Sequence, residues 1–445
     1  MYIYFRFYRQ DIIRTIRLAI PIIVAQLGVV LMGVTDTIMV GRMLGAAYLG
    51  PAGLSNSVTF LIGSIGVGAL SIVSALVSRS HGEGNQKEIS RLFRSGVIVG
   101  LILSTILSLI NVLVIWKFEV FGQTEFITEI SKPYMLILTL SNFPLLLFIA
   151  MRQLCDGLSN PKVPMMITIS ALFLNGVINY LLIKNIGFNG AAMGTLISRI
   201  YMFIAMFLFL KNGSFFKPYI QKLNAHVSLR PLIIKILKLG IPGGFQFFFE
   251  IAAFSLAVIM VGWLGEAQLA AHEVAINLAS VTYMMATGVA AACSIRVGAA
   301  LGQNDHQGIF RAGTTAFAVV ALFMGFCCLL FLFANELLVG LYVQDNQEVA
   351  AIAAGLVVIA GFFQLSDGIQ VVGLGALRGI SDVNMPTLIT LFAYWILALP
   401  LSYVLAFHFD MNVTGVWIGL LTGLSVSAIL LTTRFYTKMK SFRKQ

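Results

Sequence analysis

The sequence predicts an all-α integral membrane protein with twelve transmembrane helices in two six-helix lobes related by pseudo-two-fold symmetry. Three observations lead to this prediction. Hydrophobic residues make up 59% of the 445 residues and charged residues 11%, and the mean hydropathy is +0.93. Apolar segments long enough to cross a bilayer recur along the chain. Motifs of the first half of the sequence recur in the second half. A soluble chain of this length would instead divide into domains with polar surfaces, which this composition does not provide.

A transmembrane helix needs about 20 predominantly apolar residues, and twelve segments meet this requirement. The first is too long, and too deeply embedded in the repeating pattern, to be a cleaved signal peptide, so we expect it to remain as a span. Because the number of spans is even, both termini lie on one side of the membrane. The segments are residues 15–40, 52–78, 92–117, 132–154, 163–184, 190–211, 236–264, 272–298, 309–334, 350–375, 385–407 and 414–435.

The basic residues are distributed asymmetrically over the predicted loops. The net charge is +11, and 24 of the 29 Lys and Arg residues fall on the side of the termini. Arg42, Lys117, Lys132 and Lys184 fall on the opposite side, and Arg199 lies within a span. The positive-inside rule therefore places both termini in the cytoplasm. We interpret the basic charge as a signal of topology and expect no binding of nucleic acid.

Short motifs recur at an offset of 221 residues: LAIP at 18–21 returns as LGIP at 239–242, and IMVG at 38–41 returns at 259–262. Because each copy contains six spans, the copies share one orientation and are related by an axis along the bilayer normal. We expect an amino-terminal lobe at residues 1–211, a basic cytoplasmic linker at 212–235 and a carboxy-terminal lobe at 236–445. Two such lobes suggest a central cavity with alternating access, which is typical of transporters.

Three acidic residues lie deep inside apolar segments: Asp36 in the first span, Glu250 in the seventh and Asp367 in the tenth. A carboxylate at the bilayer centre costs at least ~2.5–3.5 kcal/mol, so it is expected to face the protein interior and to mark an ion or substrate path. The alternative is an acid neutralised by a buried basic partner, for which Arg199 is the nearby candidate in a span. We favour a cation-coupling role for the three acids.

Polar residues of the same half provide a candidate pocket for Asp36. Asn175 and Asn179 are four residues apart and share one helix face, and the next span carries Thr195 and Ser198. Amide and hydroxyl groups can hydrogen-bond a carboxyl group or supply oxygen ligands to a cation. Contacts between helices are the alternative role for the asparagines.

A second candidate pocket surrounds the other two acids. Gln246 and Glu250 are four residues apart in QFFFE, with Phe247 between them, and Gln364 precedes Asp367 in FFQLSDG. An acid among aromatic rings can bind a lipophilic cation through charge pairing and attraction to the ring face. Ordinary packing or lipid contact is the alternative for the aromatic run.

Motifs of enzymes and metal sites do not occur in the sequence. It contains no GxxxxGK[ST], HExxH or GxSxG motif, so we expect neither an enzyme nor a self-contained ATP-driven pump. The five histidines are scattered, and a metal site beyond a transient Na⁺ is not expected. The cysteines are expected to be free, packed thiols at positions Cys155, Cys293, Cys327 and Cys328.

Several segments resemble the multidrug and toxic compound extrusion (MATE) family of the MOP superfamily. They are LAIPIIVAQLGVVLMGVTDTIMVGRML, HGEGN, DGLSNPKVP with its counterpart RGISDVNMP, and AAHEVAINLAS. The three acids together resemble the NorM-like branch. This resemblance implies a secondary active antiporter, a monomer in the bacterial inner membrane, that exports cationic, aromatic drugs in exchange for Na⁺ or H⁺. It implies no cofactor besides the coupling ion.

The resemblance also implies roles for individual residues. Asp36 becomes the coupling carboxylate of the first lobe, and Glu250 and Asp367 form the cation site of the second. Phe363 stands where similar proteins carry a tyrosine, which weakens the case for sodium there. Pro21 resembles a proline at which the first helix bends, although a proline in the first turns of a helix is the alternative. The residues that line the pockets are then Asn175, Asn179, Thr195 and Ser198 in the first lobe, and Gln246, Phe247, Phe363 and Gln364 in the second.

Two other functions stay open at this point. A flippase for lipid-linked oligosaccharides of the same superfamily would favour a cavity lined by cationic residues that hold a pyrophosphate, and Arg199 is the one basic residue in the middle of a span rather than near its ends. An integral membrane enzyme would need a nucleophile, a metal cluster or a phosphate loop. Transport of a fluorescent cation by the purified protein in liposomes, without ATP, would distinguish a drug exporter from a flippase and from an enzyme.

Overall fold

A computed structural model of the protein describes residues 2–220, 228–343 and 346–442, so part of the predicted linker lies outside the described residues. Twelve helical segments of the described residues are long and apolar enough to cross a membrane, which confirms the predicted number of spans. The helices are α1 (Tyr2–Leu44), α2 (Leu49–Leu70), α3 (Ile72–Gly82), α4 (Gln86–Trp116), α5 (Glu125–Gly157), α6 (Lys162–Ile186), α7 (Asn189–Asn212), α8 (Lys217–Ile220), α9 (Arg230–Gly262), α10 (Glu266–Gly302), α11 (His306–Phe333), α12 (Asn335–Gly340), α13 (Gln347–Gly379), α14 (Asn384–Leu391), α15 (Leu399–Tyr403) and α16 (Asn412–Phe442).

Two of the spans consist of more than one regular segment. Helices α2 and α3 together form the span Leu49–Gly82. The span Asn384–His408 contains α14 and α15 together with two π-helical segments, Phe392–Ala398 and Val404–His408. A π-helix places more residues in each turn than an α-helix and changes the direction of the side chains that follow. Pro400, at the start of α15, lies between the two π-helical segments.

The internal repeat is reproduced in the backbone at the ends of α5 and α13. A Cβ atom added to Gly157 would lie 2.7 Å from Cβ of Val77, and one added to Gly379 would lie 2.7 Å from Cβ of Val297. Two residues after each glycine the chain adopts a left-handed turn, with φ of 58° in the first half and 61° in the second. The predicted repeat therefore extends from sequence motifs to turn geometry.

The chain divides into two compact units, and their boundaries differ from the predicted lobes. The amino-terminal unit is Val24–Phe248, and the carboxy-terminal unit combines Met1–Ile23 with Phe249–Gln445. Both boundaries lie within helices, α1 and α9, rather than in the predicted linker at 212–235. With 43 and 33 residues, these helices are long enough to pack with one unit along their first part and with the other along the rest. Residues 236–248 therefore group with the first half.

Pro21 lies two residues before the first of these boundaries. It is buried, and α1 begins at Tyr2, so the helix runs through the proline. The alternative that Pro21 occupies the first turns of a helix is therefore wrong. Its proposed role as a hinge stays a prediction. Pro242, its counterpart in the repeat, lies inside α9 six residues before the second boundary.

Each unit has an apolar interior of its own. In the amino-terminal unit, the rings of Tyr134 and Phe188 stack with their centroids 4.5 Å apart. In the carboxy-terminal unit, one cluster includes Phe317 and Phe435, and a second surrounds Trp417. The four cysteines lie in these interiors as buried free thiols.

Close packing of α13 against α10 depends on Gly375, where a Cβ atom would lie 2.3 Å from the backbone oxygen of Ala290. We expect Gly375→Ala to lower the free energy of unfolding by about 1–3 kcal/mol, because backbone atoms cannot move aside cheaply. Gly355 of the same helix has no atom within 4 Å of such a Cβ. Gly355→Ala is therefore the matched control, and thermal unfolding of the purified proteins measures both. Equal melting temperatures would contradict this account of the packing.

Candidate functional site

The first candidate pocket surrounds Asp36 in α1, whose side chain is 4% exposed. Asn179 of α6 donates from Nδ2 to Oδ1 of Asp36 at 2.5 Å, and Thr195 of α7 donates from Oγ1 to Oδ2 at 2.5 Å. The same Asn179 amide lies 3.4 Å from Oδ1 of Asn175. Asn179 and Thr195 therefore bond the acid, and Asn175 lies beside Asn179 in the same pocket. Ser198 differs, because its hydroxyl donates to the backbone oxygen of Gly194, in its own helix, at 2.8 Å.

A glycine allows this arrangement. A Cβ atom added to Gly194 would lie 1.8 Å from Oδ1 of Asn179, so a side chain at this position would displace the amide. Oδ1 of Asn179 and Nδ2 of Asn175 are buried without a hydrogen-bond partner among the described residues. Buried polar atoms are rarely left unpaired unless a water, an ion or a ligand reaches them. The pocket therefore has unused hydrogen-bonding capacity beside the carboxylate.

Two further residues interact with Asp36: Arg199, which the sequence analysis named as a candidate basic partner of the acids, and Tyr134, which it did not name. Arg199 and Tyr134 are both within electrostatic range of the carboxylate. Arg199 makes no ion pair within 4 Å in the part of the chain that the structure describes. Its spacing of four residues from Thr195 was a usable signal, because such residues share a helix face. Tyr134 carried no signal in the sequence, since the fold alone brings α5 to α1.

The second candidate pocket lies in the carboxy-terminal unit and contains Glu250 of α9 and Asp367 of α13. The two acids are 5% and 4% exposed and interact electrostatically with each other. The Tyr283 hydroxyl of α10 donates to Oε1 of Glu250 at 3.3 Å. Gln364, one turn before Asp367, is 1% exposed, and both of its side-chain amide atoms are buried without a hydrogen-bond partner among the described residues. This pocket thus combines two carboxylates with an unpaired amide.

Three further polar residues of this pocket were missed from the sequence. Tyr394, in the first π-helical segment, is within range of both acids, and its hydroxyl pairs with the Gln370 amide at 2.9 and 3.3 Å. Arg378 interacts electrostatically with Glu250. The spacing of Gln370 from Asp367 could have revealed the glutamine, because residues three apart share a helix face. Tyrosine hydroxyls therefore reach this pocket from α10 and the π-helical segment, although position 363 is a phenylalanine.

The predicted aromatic residues lie in different surroundings. The Phe363 ring packs against Trp417 and Phe254, with centroids 5.5 and 5.9 Å apart. Gln246 is buried, and the Phe247 ring packs over Gly68, both within the amino-terminal unit. Gln246 and Phe247 thus belong to the amino-terminal unit, whereas Glu250, Phe363 and Gln364 belong to the carboxy-terminal unit.

The MatE family profile matches residues 21–181 and again residues 242–404, which is the same division that the internal repeat indicates. Two curated relatives align with nearly the whole chain. "Probable multidrug resistance protein NorM" of Agrobacterium fabrum is 32% identical over 444 residues, covering 96% of this chain and 94% of that protein. "Multidrug resistance protein NorM" of Aliivibrio fischeri is 32% identical over 441 residues, covering 96% and 95%.

Solved structures show the same fold. The eukaryotic MATE transporter AtDTX14 superposes with a TM-score of 0.89 at 19% identity, covering 98% of this chain and 99% of that one. A multidrug resistance MATE family transporter of the MOP superfamily, in an outward-facing conformation, has a TM-score of 0.89 at 19% identity, covering 98% and 97%. The predicted MATE fold is therefore confirmed.

Gly194→Ala tests how the first pocket is held together. We expect the new methyl group to push the Asn179 amide off Asp36 and to lower the free energy of unfolding by about 1–3 kcal/mol, the cost of a broken buried hydrogen bond. The control is Gly176→Ala in α6, where a Cβ atom would make an ordinary 4.0 Å contact with Thr35. Thermal unfolding measures both variants, and an unchanged melting temperature for Gly194→Ala would show that the Asn179 bond is dispensable.

Proposed function

The chain belongs to the MatE family, and we propose that it is a multidrug efflux antiporter that exports cationic, aromatic drugs in exchange for Na⁺ or H⁺. One observation carries the proposal: each compact unit buries its own pocket of carboxylate and amide groups inside membrane spans. Such groups are costly in a bilayer and are typical of ion and substrate paths. The NorM-named relatives support drugs as the substrate class.

The pocket of Glu250 and Asp367 fits the coupling cation best. Two buried carboxylates within range of each other repel unless a proton or a cation binds between them. The charge of Arg378 offsets one of the two, which leaves one negative charge for a monovalent cation. The Gln364 amide and the hydroxyls of Tyr283 and Tyr394 could complete an oxygen-rich site, as Na⁺ requires.

The pocket of Asp36 is proposed to contribute the third cation-binding carboxylate. Asn179 and Thr195 donate hydrogen bonds to both of its oxygens, which fixes the position of the carboxyl group. An ionised acid attracts a drug cation or the coupling cation. A ligand that favours one of two alternating conformations shifts the protein toward it.

The driving force follows from linkage between ion and drug. If both compete for the same carboxylates, or favour opposite-facing conformations, an inward ion gradient drives drug export. Each elementary charge that crosses contributes ~2.3 kcal/mol per 100 mV. We further propose that the protein works as a monomer in the bacterial inner membrane, with both termini in the cytoplasm.

The flippase alternative is less consistent with the site. A pyrophosphate would need several cationic groups that are free of acidic partners. Arg152 is instead paired with Asp156 at 3.1 Å, and Arg199 and Arg378 each interact with a pocket acid. The family is a transporter family, which also disfavours an enzyme.

Ethidium export from proteoliposomes tests the proposal. We expect the native protein to export ethidium under an imposed proton or sodium gradient, and the gradient that drives export identifies the ion. Asp36→Asn, reconstituted at the same density, is expected to lose this export, because its pocket no longer carries a carboxylate. Export by Asp36→Asn at the native rate would remove this acid from the mechanism.

Glu250→Gln and Asp367→Asn test the second pocket. Each substitution removes one negative charge, so the pocket no longer requires a cation, and we expect gradient-driven export to fall at least about tenfold. Glu119→Gln is the control, because this acid is exposed and lies outside the spans. Initial rates under the active gradient provide the measurement. Native rates in both pocket variants would assign ion coupling to another site.

A further inference from the structure

Arg199 of α7 is a cation inside a membrane span whose position is fixed by polar contacts. Its Nη1 donates to Oγ of Ser141 at 2.6 Å and lies 3.5 Å from Oδ1 of Asn142, both on α5. It follows Thr195 by one helical turn, and Thr195 donates to Asp36. Residues at this spacing are neighbours on the helix surface. The guanidinium is therefore held beside the Asp36 pocket by neutral groups.

The acid that balances this charge is Asp36. The buried acids of the described amino-terminal unit are Asp36 and Asp156, and Asp156 is already paired with Arg152. Arg199 interacts electrostatically with Asp36, although the two groups are not within 4 Å of each other. The oxygens of Asp36 are occupied by Asn179 and Thr195 instead. The pair is thus close enough to attract but too far apart to neutralise by contact.

A charge at this separation has a definite effect on ligand binding. The interaction of two charges falls with distance and is strong where water is excluded, so Arg199 lowers the attraction of Asp36 for any other cation. It does so without contacting the carboxylate oxygens, which accept hydrogen bonds from Asn179 and Thr195. When Asp36 is ionised, its formal charge and that of Arg199 cancel. The carboxy-terminal pocket differs, because its two acids face one arginine.

We propose that Arg199 is an internal cation that competes with the transported drug for Asp36 and so limits how tightly the drug binds. This inference rests on the proposed function and adds a residue that determines affinity. Weak competition of this kind favours release, because a transporter whose drug binds too tightly cannot unload it. Arg199 acts by its charge, which offsets the charge of Asp36 and repels a cationic drug in the same pocket, and it is not itself a ligand of the drug.

The proposal predicts ethidium affinity from the summed charge of the pocket. Arg199→Gln leaves one negative charge, and we expect its dissociation constant to fall about tenfold. Asp36→Asn leaves one positive charge, and we expect the constant to rise about tenfold. The double variant Asp36→Asn with Arg199→Gln is neutral, like the native pair of charges, and should return to within about threefold of the native value because no net charge attracts or repels the drug.

Fluorescence polarisation of ethidium with the purified full-length protein in sodium-free buffer measures these constants. Lys184→Gln is the control for loss of a positive charge, because this lysine is exposed at the end of α6. Ser141→Ala removes a hydrogen bond of Arg199 but keeps its charge, and should change affinity less than Arg199→Gln does. Size-exclusion chromatography establishes that each variant is folded. If Arg199→Gln does not fold, the dissociation constants of the double variant and of Asp36→Asn are compared instead, because they differ only in the presence of Arg199.

Rescue of binding in the double variant would support the proposal. Native affinity in Arg199→Gln, or a double variant as weak as Asp36→Asn, would overturn it. Gradient-driven export by the native protein in proteoliposomes is measured in parallel. Its absence would contradict the proposed function, whereas its presence with unaltered affinity in Arg199→Gln would contradict this inference alone.

Discussion

The bilayer sets the main constraint on this protein, since a carboxylate placed in an apolar span must find polar partners on other helices. Asp36 finds them on α6 and α7, through Asn179 and Thr195. These bonds form only if the helices approach closely, and Gly194 provides the room. The same constraint shapes the second pocket, where Glu250 receives the Tyr283 hydroxyl from α10. The buried acids need hydrogen bonds from neighbouring helices, and those hydrogen bonds need the helices to pack closely, so the two features depend on each other.

The fold could be predicted from the sequence in most respects, because bilayer thickness fixes the length of a span and apolar segments of that length can be counted along the chain. The repeat was visible as well, and the turns after Gly157 and Gly379 reproduce it in the backbone. The division into compact units could not be predicted. Hydropathy shows where a helix lies, but the packing partners along α1 and α9 depend on contacts that are distant in sequence.

The candidate pockets were predictable where spacing along one helix carried the information. Asn175 and Asn179 share a face of α6, Asn179 bonds Asp36, and Asn175 lies beside Asn179. Partners from other helices were missed, because no spacing links Tyr283 or Tyr394 to an acid elsewhere in the chain. The phenylalanine at position 363 was interpreted as a lost hydroxyl. The structure brings hydroxyls to Glu250 from two other helices instead, so a site cannot be judged from one aligned position.

The π-helical segment Phe392–Ala398 provides a way in which the second pocket can change its polar lining during evolution. Successive side chains of an α-helix point about 100° apart, and a π-helical turn arises when one additional residue is accommodated in the helix. Deleting a single residue of this segment before Tyr394 would rotate Tyr394 relative to α14 by about one such step, away from Gln370. The polar lining of the second pocket could therefore change through a one-residue deletion, with every span retained. Length variation in this segment would then be a route by which related chains acquire different ligands.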